Sequence, residues 1–213
     1  MKRFTLIAVL VVLAISPFTA LAQDEEFDID TSSWQTFEAE EGEDDVFVKF
    51  MYPEDWLTEV QFGGLIIASS ESALEKANSE EETQPEEGEF IATIQLLPTE
   101  FLSFFEIEGD DLEAVTTEMA AFFTAESDTE EEAQLEVGEV SIIEFSEELS
   151  IGRVPVTDEN IEGVLLVFQL TEEVYGVAIG AGYPGELEDN ELVLYGIIST
   201  LEFTGTVEDL MAQ

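Results

Sequence analysis

The chain has 213 residues, 51 of them acidic and 5 basic, with no histidine and no cysteine, and a formal charge of −46. That inventory excludes imidazole bases, thiol nucleophiles, histidine or thiolate metal sites and disulfides. It also excludes nucleic acid and anionic membrane surfaces as partners, because their phosphates must be met by Lys or Arg.

Residues 1–22 read as a secretory signal peptide. Met1-Lys2-Arg3 is a basic start, Phe4 to Ile15 is nearly all apolar, Ser16-Pro17 breaks the run, and Ala20-Leu21-Ala22 is a small-x-small site predicting cleavage after Ala22. The apolar run, roughly 12 residues, is short against the roughly 20 needed to span a bilayer. No cysteine follows the leader, so a lipoprotein anchor is excluded, and the expected product is secreted or extracytoplasmic. Export without disulfides leaves the fold resting on its core. A hydrophobic fraction of 45% and 16 Phe supply one despite the charge.

Residues 23–45 hold few core candidates (Phe27, Ile29, Trp34, Phe37) and end in the acidic stretch Glu38–Asp45, predicting an irregular acidic lead-in. Val46 to Tyr52 alternates, with Val46, Val48, Phe50 and Tyr52 on one face, and reads as a strand stopped by Pro53. Trp56–Phe62 and Leu65–Ala68 read as short strands either side of Gly63-Gly64. Ser70 is placed to cap a helix from Glu71 to about Ala77. An acidic loop, Asn78–Glu89, precedes a strand from Phe90 to Leu97 closed by Pro98.

Asp110 and Glu113 have capping-box spacing at the start of the clearest helix, whose apolar stripe is Leu112, Val115, Met119, Phe122 and Phe123. After a second acidic loop, Ala125–Gln134, four antiparallel strands are predicted: Leu135–Phe145, Leu149–Val156, Gly163–Leu170 and Val174–Gly182. Thr171-Glu172-Glu173 suggests a tight hairpin between the last two. A final helix is expected from about Glu186 to Leu201. The order predicts an α+β fold, an antiparallel β-sheet flanked by helices, in a single domain over 46–203 with residues 204–213 as a C-terminal tail.

Gly180-Ala181-Gly182-Tyr183-Pro184-Gly185 matches G-x-G-x-x-G after a strand and before a helix, as a dinucleotide fingerprint should. A Rossmann unit needs further parallel strands, and too little chain remains to supply them. The competing reading is that Gly176, Ala178, Gly180 and Gly182 make one strand face small enough for close helix packing.

Carboxylates are too numerous for sequence to select a glycosidase-type pair. Calcium, which takes several oxygen ligands, is the more serious option, with Glu38–Asp45, Glu80–Glu89 and Glu126–Glu136 as collecting stretches. None of these carries the D-x-[DN]-x-[DN]-G loop. Lys49, Lys76 and Arg153 are the basic residues beyond the leader, each expected to pair with carboxylate, Arg153 with partial burial. A substrate-binding role for Arg153 is the functional alternative.

Tyr52-Pro53-Glu54-Asp55-Trp56, entered from an alternating strand, resembles the Y-P-x-x-W signature of the Mog1/PsbP-like superfamily. Leu65 to Leu74 looks like the strand and short helix that follow in its bacterial secreted members. Ile151-Gly152-Arg153 looks like their I-G-G-R turn with one Gly missing, and Tyr183-Pro184-Gly185 with Ile198–Phe203 resembles the family's close. The resemblance runs from about Val46 to Phe203. It implies an α/β/α sandwich with Tyr52 and Trp56 packed under the first hairpin. It also implies a non-enzymatic role, since PsbP relatives assist assembly of a membrane complex and Mog1 binds a small GTPase.

Three functions are therefore open. The first is an exported, non-enzymatic binding or accessory domain for an unknown protein or small ligand, the second a carboxylate-rich calcium binder, and the third a two-carboxylate hydrolase. No catalytic, cofactor-binding or metal residue is assigned, and no cofactor is expected, calcium being the one alternative. An exposed apolar patch favours the first reading, convergent carboxylates the second, and a cleft holding two carboxylates in opposite environments the third.

Overall fold

The computed structural model describes residues 27, 29–39, 47–61, 63–79, 84–105, 107, 109, 111–126, 136–158 and 160–211. The expected leader with its cleavage site after Ala22, Val46, Asp110 and most of the acidic stretches lie outside them.

The strands are β1 (Gln35–Glu38), β2 (Val48–Tyr52), β3 (Leu57–Gln61), β4 (Gly64–Ala68), β5 (Phe90–Pro98), β6 (Glu136–Val137), β7 (Ser141–Glu144), β8 (Ser150–Thr157), β9 (Glu162–Thr171), β10 (Val174–Gly182) and β11 (Glu202–Phe203). The helices are α1 (Glu71–Ala77), α2 (Thr99–Leu102), α3 (Leu112–Glu126), α4 (Leu187–Ser199) and α5 (Val207–Met211). A large antiparallel sheet has the order β3-β4-β5-β10-β9-β8-β6, with β7 also paired to β8, and a small sheet has the order β1-β2-β11.

Strand β9 explains the layering. Its side chains alternate between two cores, and helices cover both, so it reads as one apolar run. Val164, Leu166 and Phe168 join Leu194, Tyr195, Ile197 and Ile198 of α4. Leu165 and Val167 join Val115 and Met119 of α3. The fold is the expected α+β sandwich, helix on either side of an antiparallel sheet. Each such side chain contributes about 1.5–3 kcal/mol when fully buried.

Small residues set the spacing of the layers. A Cβ on Gly176 would fall 2.2 Å from the Phe168 ring, and one on Gly180 would fall 2.6 Å from Phe90 and 3.3 Å from Leu194. The small face of β10 thus receives two aromatic rings and the α4 helix, as the packing alternative to the dinucleotide reading requires. Tyr183-Pro184-Gly185 is the turn into α4, closed by the Glu186 N–H on the Tyr183 carbonyl at 3.2 Å.

Several elements depart from expectation. The lead-in is not wholly irregular: β1 pairs with β2, Gln35 opposite Tyr52, and Phe37 stacks on Phe50 with ring centroids 5.1 Å apart. Residues 204–213 are not a bare tail, because α5 buries Leu210. Predicted strand Leu135–Phe145 is interrupted at Gly138, whose N–H bonds the Pro155 carbonyl at 2.8 Å, leaving β6 and β7 as separate partners of β8.

Asp111 caps the first turn of α3, its Oδ1 accepting the Ala114 N–H at 2.9 Å, while Asp110, the expected cap, lies outside the described residues. Ile151-Gly152-Arg153 is mid-strand in β8 rather than a turn, and α3 approaches so closely that a Gly152 Cβ would lie 1.9 Å from Thr116 Oγ1. Trp56 does not sit under a first hairpin, since β2 and β3 belong to different sheets; it is buried against Phe90.

Candidate functional site

The three described cations are each held by carboxylate. Lys49 on β2 meets Glu38 of β1 at 3.4 Å on the surface. Lys76 of α1 meets Glu89 at 2.5 Å and Glu86 at 3.4 Å. Arg153 of β8 forms a two-pronged bond with Glu191 of α4, Nε to Oε1 at 2.5 Å and Nη2 to Oε2 at 2.9 Å. Tyr195, one helical turn beyond Glu191, donates its hydroxyl to the same carboxylate. Burial, and then the Glu191 hydrogen bond and charge, push the Tyr195 phenol far up. Arg153 therefore serves the β8–α4 interface, partly buried as expected, and its guanidinium is committed to Glu191.

Glu89 and Glu191 are the buried acidic side chains among the described residues, and each faces its own cation. Burial pushes the Glu89 carboxyl up, but Lys76, the Glu86 N–H and Ser72 outweigh it and hold the group down at about 2. A general acid needs the opposite environment. No group of three or more acidic side chains able to hold a metal occurs among the described residues.

The G-x-G-x-x-G segment cannot act as a dinucleotide loop. Its strand, β10, is antiparallel to both neighbours, β5 and β9. Gly185, at φ +90°, gives its N–H to the Glu162 carboxylate at 2.7 Å, so an anion of the protein itself already holds the amide a phosphate would need.

An apolar groove opens on the α3 face of the large sheet. The cross-strand register sets Val137, Val156, Gly163 and Ala181 in one row and Val154, Leu165 and Ile179 in the next. Ala120 and Phe123 of α3 form a wall over this floor, and Ile161 of the β8–β9 turn joins the lining of a partly open cavity of about 280 Å³.

The groove follows from local chemistry. Gly163 and Ala181 bring almost no side chain to the floor. Asp158 fixes the β8–β9 turn by accepting the Asn160 and Ile161 N–H groups at 2.6 and 2.7 Å, which holds Ile161 in the lining. Phe123, expected in the buried stripe of α3, is instead 36% exposed, alongside Val137 at 38% and Ile179 at 39%. Among the described residues, no charged side chain lines the cavity.

Sequence placed Phe123 in the buried stripe of α3 and Gly180-Ala181 in the dinucleotide-like segment, and it marked no groove. The available signal was strand Val174–Gly182, where Val177, Ile179 and Ala181 are apolar opposite a face already committed to α4. No described helix is long and apolar enough to cross a membrane.

No family model matches the chain, and no curated protein does. Among solved structures it is similar to the solution structure of cyanobacterial PsbP (CyanoP) from Synechocystis sp. PCC 6803, at 11% identity and a TM-score of 0.47, over 80% of this chain and 92% of that one.

Proposed function

We propose that the chain is an exported, non-enzymatic binding or accessory domain whose docking site is the apolar groove between α3 and the β6-β8-β9-β10 floor. The observation that carries this reading is the concentration of Phe123, Val137 and Ile179, each over a third exposed, around one cavity of about 280 Å³. Contiguous exposed apolar surface marks an interaction site, whereas scattered single residues do not. The polar residues with unusual environments, Glu89, Arg153, Glu191 and Tyr195, are saturated by one another or by Lys76 and support the sandwich rather than chemistry. Export rests on the leader sequence of residues 1–22.

The test is titration of residues 23–213 with the neutral apolar fluorophore N-phenyl-1-naphthylamine. Saturable enhancement is expected, with affinity lowered about tenfold or more in Ile179→Asp, the loss of one well-placed apolar contact with an added charge. Equal binding by the wild type and by Ile179→Asp contradicts the assignment.

A further inference from the structure

We propose that the occupant of this groove is the apolar face of a basic amphipathic helix belonging to a partner polypeptide. The inference rests on the groove being a binding site and adds the chemistry of what binds.

Charge selects the partner. The body carries −46, and Lys49, Lys76 and Arg153 are all engaged with carboxylates away from the groove lining. An anionic amphiphile such as a fatty acid would find no cation among the described residues of the groove for its head group. A second copy of the chain would bring the same large negative charge to the interface, where like-charge juxtaposition is costly. A cationic partner is drawn in by the same field.

The helix that walls the groove adds a local term. α3 has no basic residue in its last turn, and Phe123 of the groove wall lies in that turn. The carbonyl end of a helix carries about half a negative charge and favours a cation within the last turn. A Lys or Arg flanking the partner's apolar residues would supply it.

The shape selects a helix over a small molecule. Small-molecule sites bury about 70–90% of the ligand. Here Phe123, Val137 and Ile179 come from three separate elements and leave the trough open to solvent. Such a trough admits side chains presented at i, i+3, i+4 and i+7 from one helix face.

The test uses three short synthetic helices with the same Leu/Phe face and a polar face of Lys, Gln or Glu, titrated by fluorescence anisotropy against residues 23–213 at physiological salt. The Lys helix is expected to bind about tenfold or more tighter than the Gln helix, with the Glu helix weakest. Phe123→Gln/Ile179→Gln, which leaves the charge unchanged, is expected to weaken the Lys helix about tenfold or more. Because the two replaced side chains are partly exposed, the variant's melting temperature checks its folding. Val137→Gln, on a different element, repeats the test independently.

Lys-helix binding unchanged in both variants overturns the proposal, because it would show attachment to the acidic surface alone. Preference for the Glu helix or for laurate overturns it as well. Should N-phenyl-1-naphthylamine bind in an Ile179-dependent way while the three helices bind alike or not at all, this inference fails and the binding reading stands. If neither probe nor helices bind, both fail.

Discussion

Arg153 on β8 and Glu191 on α4 meet through two hydrogen bonds, at 2.5 and 2.9 Å, and Tyr195 closes the remaining side of the carboxylate. Phe27 and Phe145 stack at 5.4 Å over the Tyr195 ring, so the pair sits beneath an aromatic cover. The buried charge on α4 is thus neutralised by Arg153, one of the two arginines in the sequence. In a chain with so few cations, that placement ties the last helix to the sheet.

Removing one partner leaves the other buried and unpaired. Arg153→Ala is expected to cost about 3 kcal/mol, the lower end for breaking a buried pair because Arg153 is partly exposed. Arg153→Met/Glu191→Leu, which removes both charges, is expected to recover most of that loss. Urea unfolding with unchanged slope measures both. An Arg153→Ala loss below about 0.5 kcal/mol, as for an ordinary surface change, contradicts the account.

Glu89 gives a pH signature with a definite sign. Its carboxyl is held at about 2 in the folded chain against 4.5 ordinarily. A depressed carboxylate stabilises the fold above its unfolded value, and that stability is lost as pH falls through the folded one. Glu89→Gln is expected to cost about 1.5–3 kcal/mol at pH 7, the range for charge-assisted bonds. The wild-type advantage should shrink between about pH 5 and pH 2. Comparing the two proteins at each pH cancels the general effect of acid on a highly charged body. A pH-independent difference would contradict the Lys76–Glu89 geometry.

Gly152 is where α3 comes closest to the sheet. Gly152→Ala places a methyl 1.9 Å from Thr116 Oγ1, an atom bonded to the Leu112 carbonyl at 2.6 Å. Overpacking of this kind costs about 1–3 kcal/mol. Combining it with Thr116→Ala is expected to return part of the loss, because the clash is with the hydroxyl-bearing side chain. Strictly additive losses in a double-mutant cycle would show that the two residues do not touch.

The charge of −46 makes the folded state repel itself. Added salt shortens that repulsion to a range of about 8 Å at physiological ionic strength. The melting temperature of residues 23–213 is expected to rise by roughly 5 °C from low to physiological salt, the equivalent of one to two kcal/mol. Sodium, magnesium and calcium at matched ionic strength are expected to act alike. A shift specific to calcium would favour the carboxylate-rich calcium binder.

The α+β order was legible because β5, β9 and β10 alternate or run apolar between clear stops at Pro98, Glu172-Glu173 and Tyr183-Pro184. Ser70 was legible as a cap for the same local reason, and its Oγ accepts the Ala73 N–H at 3.1 Å. β1 was hidden because its pairing with β2 is long-range and Phe37 is its lone apolar anchor. α5 does carry a sequence signal, the capping-box spacing of Thr206 and Asp209, which form a reciprocal cap, Thr206 N–H to Asp209 Oδ2 at 2.8 Å and Asp209 N–H to Thr206 Oγ1 at 3.3 Å. The groove was not legible, since Phe123 and Ile179 look like core residues until the end of α3 leaves them uncovered.

Backbone amide NMR of residues 23–213 during titration with N-phenyl-1-naphthylamine locates the binding surface residue by residue. Saturable shifts are expected at Ala120, Phe123, Val137, Ile161, Ile179 and Ala181, with Arg153, Glu191 and Tyr195 unmoved. Shifts centred elsewhere, such as exposed Phe104 and the half-buried Phe101 packed against it, or no shifts at all, would contradict the groove assignment.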